Sequence, residues 1–161
     1  MPNYNPAFKI YRANKNDPSR GVAVSVEYNK KNMVFWVAAR QSGEKNGNPT
    51  FAWNNKETAI TMKMGAVDIG EILACLNGDK AFVGATEKGL YHQNPLGNAG
   101  FSMKRQNDGY VVRISMKRGD KLVAYNHRIT LGEAALMRVF LEACVIKMHN
   151  LDILEVFETD V

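Results

Sequence analysis

Helical spacing occurs in only two stretches of this chain, and each closes a series of short segments whose side chains alternate in character. That order, strands and then one helix, stated twice, limits the fold more than any other feature of the sequence. In the first series Phe8 to Arg12 alternates weakly. Gly21 to Tyr28 alternates well, with Val22, Val24, Val26 and Tyr28 on one face and Ala23, Ser25 and Glu27 on the other. Asn29 to Asn32 reads as a hairpin turn, Met33 to Arg40 as a central strand, and Ser42 to Pro49 as a polar loop. Lys56 to Met64 resumes alternation, with Thr58, Ile60, Met62 and Met64 together, and a helix follows from Ala66 to Leu76 on the stripe Val67, Ile69, Ile72, Leu73 and Leu76. Asn77-Gly78 stops it.

The second series runs through Lys80 to Thr86, Leu90 to Gln93, Phe101 to Arg105, Tyr110 to Lys117 and Lys121 to Ile129. These are divided by Gly97, Gly100, Asp108-Gly109 and Gly119-Asp120. Thr130, with Glu133 three residues on, has capping-box spacing and opens a helix to about His149. Its apolar face is expected at Leu136, Val139, Phe140, Ala143 and Ile146. The prediction is an α+β fold of two antiparallel four-stranded sheets, each followed by a helix. Residues 1–149 form one domain of two pseudo-repeats, about 8–77 and 80–149, and 150–161 form an acidic tail.

Charge divides the chain the same way. The formal charge is +5, but Asp152, Glu155, Glu158 and Asp160 stand in the last twelve residues without a base, leaving 21 bases against 12 acids before them. A basic body suggests a polyanion-binding surface, and the acidic end suggests its competitor or a site for a protein partner; a plain frayed terminus is the other reading. No apolar run approaches the roughly 18 residues of a membrane span, and the start lacks a secretory layout, so an intracellular protein without a membrane partner is expected.

Catalytic signals do not emerge. Cys75 and Cys144 lie among apolar residues and read as buried thiols, and His92, His127 and His149 show no ligand spacing. The chain has no phosphate-loop, dinucleotide or nucleophile-elbow motif, so no enzyme activity, cofactor or metal is expected.

Bases and rings on the strands are the informative residues. In Tyr110 to Arg118 the apolar Tyr110, Val112, Ile114 and Met116 alternate with Arg113, Ser115 and Lys117, a face able to hold phosphates or simply to meet solvent. Arg118, Lys121 and Arg128 continue the hairpin, and Lys104 and Arg105 precede it. The first half interleaves Lys9, Tyr11, Arg12, Arg20, Trp36, Arg40 and Trp53, the mixture of charge and flat apolar surface that single strands need. Trp36, inside an apolar run, reads more readily as core. The nucleic-acid-binding set is therefore Lys9, Tyr11, Arg12, Arg20, Arg40, Trp53, Phe101, Lys104, Arg105, Tyr110, Arg113, Lys117, Arg118 and Arg128, with Tyr11, Trp53, Phe101 and Tyr110 as base-stacking rings.

The stretch from Phe51 through Trp53, Asn54-Asn55-Lys56 and Gly65 to Leu73 resembles the strand and helix that end the first repeat of plant Whirly proteins. Gly109 to Met148 is similar both to the second Whirly repeat and to the single-repeat, positive-cofactor-four type of transcriptional coactivator. Arg20-Gly21-Val22-Ala23-Val24-Ser25-Val26 is loosely similar to the family's Lys-Gly-Lys-Ala-Ala-Leu strand, with no counterpart for one of its lysines. The resemblance spans roughly residues 8–150. It implies two four-stranded antiparallel sheets with helices between them, assembled as a tetramer through helical surfaces. It also implies binding of single-stranded DNA, or of guide RNA as in mitochondrial relatives, across sheet faces and protomer edges. Acidic or aromatic C-terminal extensions modulate binding in such proteins, a role Phe157 among Glu155, Glu158 and Asp160 would fit. The reading is a single-stranded DNA-binding protein acting in replication, recombination, repair or transcription. The alternatives are an RNA-binding protein and a protein-interaction module.

Overall fold

A computed structural model describes residues 5–149 apart from Leu96; the sequence-based reading of 150–161, Phe157 included, lies outside the described residues. Two antiparallel sheets are each followed by a helix, as the alternation implied. The first sheet has the order β1 (Ala7–Arg12), β2 (Val22–Tyr28), β3 (Val34–Lys45), β5 (Ile60–Met64), and β4 (Asn48–Phe51) pairs with the protruding end of β3. Helix α1 (Ala66–Leu76) follows. The second sheet runs in chain order, β6 (Leu90–Asn94), β7 (Gly97–Gln106), β8 (Gly109–Arg118), β9 (Lys121–Thr130), and α2 (Leu131–Met148) follows.

Register fixes which side chains share a face. In the first sheet Ile10, Val24 and Ala38 sit in one row, Trp36 beside Val26 and Met62 in the next, and all of them are buried. In the second, Phe101, Ile114 and Tyr125 align, as do Met103, Val112 and His127. These two inner faces and the inward sides of both helices share one core, where Trp36 meets Phe101 edge-on with centroids 4.8 Å apart. Trp36 is therefore core. Thr130 accepts the Glu133 N–H while the Glu133 carboxylate accepts the Thr130 N–H, the capping box read from the sequence. Among the described residues no helix is long and apolar enough to cross a membrane.

Five local expectations are corrected. Ser42 to Pro49 is a hairpin rather than a loop: Asn46 and Gly47 both take positive φ (53° and 77°), the turn that lets β3 fold back into β4. Pro49 is tolerated because β4 is an edge strand. Lys80 to Thr86 is not a strand; Phe82 makes one isolated bridge to Lys104, and Lys80 is tied instead to Glu71 and to the Gly84 carbonyl. Gly97 and Gly100 lie within β7 rather than breaking it, and Gly100 pairs with Tyr91 of β6. Val67 is 80% exposed and leaves the α1 stripe to Ile69, Ile72, Cys75 and Leu76. On α2 the buried face is Ala134, Met137, Leu141 and Cys144; of the residues expected inside, Phe140 is half-buried, and Leu136, Val139, Ala143 and Ile146 face outward.

Candidate nucleic-acid interface

The outer face of the first sheet begins with small side chains. Lys9 pairs with Ser25 and Tyr11 with Ala23, and both β2 residues are fully covered, so longer groups close over them. The β3–β4 hairpin supplies part of that cover. Beyond the bulge between Gln41 and Gly43 it brings Phe51 to 5.6 Å from Tyr11 and Trp53 to 6.4 Å from Phe51, centroid to centroid. The Lys9 ammonium sits 5.7 Å from the centre of the Trp53 ring, a cation–π contact worth about 0.5–1 kcal/mol at an exposed site.

Trp53 stands between two clefts. One, of about 550 Å3, is lined by Lys9, Phe35, Val37 and Thr61 on the first sheet. The other, of about 630 Å3, passes Lys56 and Thr61 to reach Met116 and Arg118 of the second sheet. Arg118 braces this junction by donating to the Glu57 and Ala59 carbonyls at 3.2 and 3.4 Å. Trp53, Asn54 and Thr61 line both clefts, so the two form one surface path from sheet to sheet.

On the outer face of the second sheet, Lys104, Arg113 and Lys117 are exposed, with Ser102, Ser115 and Gly100 between them. None of the three bases has an ion-pair partner among the described residues. Arg113 and Lys117 lie on one strand face, about 13 Å apart at the usual rise per residue. Tyr91, 60% exposed on neighbouring β6, supplies a ring beside them.

The rest of the sequence-derived set is dispersed. Phe101 (1% exposed) and Tyr110 (2% exposed) are core residues, not stacking platforms; Tyr110 donates its hydroxyl to the Leu76 carbonyl at 3.2 Å. Exposing either to a base would open the core. Arg105 is exposed beside the C-terminal end of α1, where a positive charge complements the helix dipole. Arg40 shares the inward side with Val22 but is exposed at the rim, near Tyr125. Arg12, Arg20 and Arg128 come together at a separate cavity near Val111, at the end of β8 away from Arg118. Gly21 makes this arrangement possible. Its lack of a side chain lets Gln41 cross over it and accept the Asn14 N–H, which pins the loop carrying Arg20.

Phe51, Phe35 and Tyr91 belong to these surfaces and were not singled out by the sequence reading. The signal for Phe51 was the Asn46-Gly47 pair, which predicts a hairpin and so a strand across from β3.

The titratable groups are tuned for structure. Burial raises both thiols, Cys144 to about 11, the opposite of an activated nucleophile. Glu71 is held below its ordinary range by its bonds to Lys80 and the Gly84 N–H. His127 is held neutral down to about 4, by burial first and by the Arg12 charge second. Neither of its ring nitrogens, nor the Trp36 indole N–H, has a partner among the described residues, and each such buried group costs about 1–3 kcal/mol.

No family model matches this chain, and no curated protein matches it by sequence. Solved structures do share its fold. MRP1/MRP2 of Trypanosoma brucei superposes with a TM-score of 0.69 at 16% identity, over 93% of this chain and 88% of that one. A guide-RNA-binding protein complex bound to a guide RNA matches with a TM-score of 0.66 at 18% identity, over 92% and 94% of the two chains. WHY1 of Arabidopsis thaliana matches with a TM-score of 0.62 at 10% identity, over 91% and 86%. The likeness is therefore to the Whirly and guide-RNA-binding fold, as the sequence resemblance implied.

Proposed function

We propose that this chain binds single-stranded nucleic acid, DNA in preference to RNA, and catalyses no reaction on it. One observation carries the reading: Trp53, with Lys9 against its ring, stands over a path that leads from one sheet to the other. Rings there stack unstacked bases while Lys9, Lys56, Arg113, Lys117 and Lys104 neutralise phosphates. The fold shared with a complex bound to guide RNA supports a nucleic-acid ligand. The use would be in replication, recombination, repair or transcription, and the two free buried cysteines suit a reducing, intracellular setting.

The shared core supports reading residues 1–149 as one domain. Leu136, Val139, Ala143 and Ile146 lie outward on α2 at spacings of three, four and three residues, a stripe suited to a second copy. We read the working form as a homo-oligomer, a tetramer or dimer, that joins such paths between protomers. The acidic residues of 150–161 would compete with the strand for the basic surface or recruit a protein partner, so deleting them should strengthen binding at low salt.

Tryptophan fluorescence tests the proposal. Trp36 is fully buried, so of the two tryptophans Trp53 reports on the surface. A mixed-sequence DNA oligonucleotide should quench it, with log affinity falling by about 0.7 per phosphate contact for each tenfold rise in salt. RNA should bind more weakly and duplex least. Absent or salt-indifferent binding, or tight preference for one duplex sequence, overturns the proposal. The exposed α2 stripe favours a second reading, a protein-interaction module; under that reading charge reversal at Arg113, Lys117 and Arg118 leaves function intact.

A further inference from the structure

At the end of the sandwich away from Trp53, a cavity of about 360 Å3 is lined by Arg12 of β1, Arg20, Val22 of β2, Val111 of β8, and Asn126, His127 and Arg128 of β9. Three arginines from three separate segments line it. Their existing partners use few of their donors. Arg20 reaches Asp17 through Nε at 3.3 Å, and Arg128 uses one amino nitrogen for two long contacts, to the Gln106 carbonyl and to the exposed Asp108 carboxylate, each at 3.5 Å. Arg12 holds Glu133 through one amino nitrogen and turns the other to the Tyr11 carbonyl. A guanidinium has five N–H donors, so each keeps several for another oxygen-rich group.

His127 closes the inner side of this cavity. It is 5% exposed, and its ring lies 6.2 Å from Trp36. Three arginines call for a ligand that is anionic and rich in acceptors. A phosphate monoester, with a charge near −2 at neutral pH and three terminal oxygens, fits three forked donors better than a backbone diester with its single charge.

We propose that this cavity binds a phosphate monoester, supplied by the terminal phosphate of a bound strand. The strand-terminal source rests on the function proposed above; affinity of the cavity for phosphate does not. Arg113 and Lys117 then lie between the two ends of β8, one next to this cavity and the other next to the Trp53 cleft, so an anchored terminus would give the bound strand a direction.

The test is calorimetric titration of the full chain with inorganic phosphate, and with a short oligonucleotide bearing a 5′-phosphate, a 3′-phosphate or neither. The same is done with the Arg20→Gln/Arg128→Gln variant, whose side chains are exposed enough for the fold to survive, as a thermal melt will verify. Saturable phosphate binding in the parent chain that the variant loses supports the cavity. So does an advantage of about tenfold or more for one phosphorylated end over the unphosphorylated strand, reduced to about one in the variant. Phosphate binding without an end preference keeps the cavity and makes free phosphate its source. Absence of both, while unphosphorylated strands still bind, overturns the proposal and leaves the function standing. Failure of every oligonucleotide with phosphate still bound overturns the function alone.

Discussion

The outer faces of the two sheets are built from opposite materials. The first presents rings, with Tyr11, Phe51 and Trp53 gathered beside small β2 residues and Phe35 opposite Glu27, and it sets Lys9 and Lys63 among them. The second presents unpaired charge, with Lys104, Arg113 and Lys117 around a single exposed ring, Tyr91. The two differ because the β3–β4 hairpin folds back over the first sheet, while the hairpins of the second turn tightly at its ends. Ring contact is short-ranged and insensitive to salt, whereas charge acts over about a Debye length and is screened. One face should therefore set how tightly bases are held, and the other how binding responds to ionic strength.

The largest effect should come from neither face. Phe101→Ala should lower stability by about 3–5 kcal/mol in denaturant unfolding and leave affinity per folded molecule unchanged. If it weakened binding while the fold kept its stability, Phe101 would be a stacking residue and the separation of core from surface would fail. Next is acid. His127 lies on the seam, its ring 6.2 Å from Trp36 of the other sheet, so its titration loosens both faces together. The folded ring protonates only at about 4 while an unfolded histidine protonates near 6.5, so the unfolded chain gains a proton first. Stability should hold above pH 6.5, fall between 6.5 and 4 by on the order of 3 kcal/mol, and level off below. Melts of His127→Gln across that window should show a flatter profile.

The faces themselves give smaller effects. Trp53→Ala should weaken oligonucleotide binding by about 1–3 kcal/mol and leave the salt slope unchanged. Arg113→Gln/Lys117→Gln should do the reverse, reducing the slope of log affinity against log salt by about 1.4 with modest loss at physiological salt. A Trp53 variant that altered the slope, or a charge variant that did not, would dissolve the contrast between the faces.

Much of this surface is readable from strand parity. Arg113, Ser115 and Lys117 alternate with Val112, Ile114 and Met116, and the structure keeps them on opposite faces. The same parity places Tyr110 inward with Val112, so its assignment to the stacking rings conflicted with the alternation itself. Helix α2 was harder for a physical reason. Ala134, Met137, Leu141, Cys144 and Leu136, Val139, Ala143, Ile146 repeat at the same three-four-three spacing, so periodicity defines two stripes without saying which one the sheets cover. The cavity around His127 was not legible at all, because Arg12, Arg20 and Arg128 become neighbours only when both sheets and the intervening turn are in place.

The Asn46-Gly47 turn has one more consequence. It lies at the exposed tip of a hairpin that extends beyond the body of the first sheet, and the shared core includes none of its residues. Chain length can change there without repacking the interior. Adding or removing residue pairs at that tip would lengthen or shorten this arm, so footprint and foldability can be altered independently in this molecule.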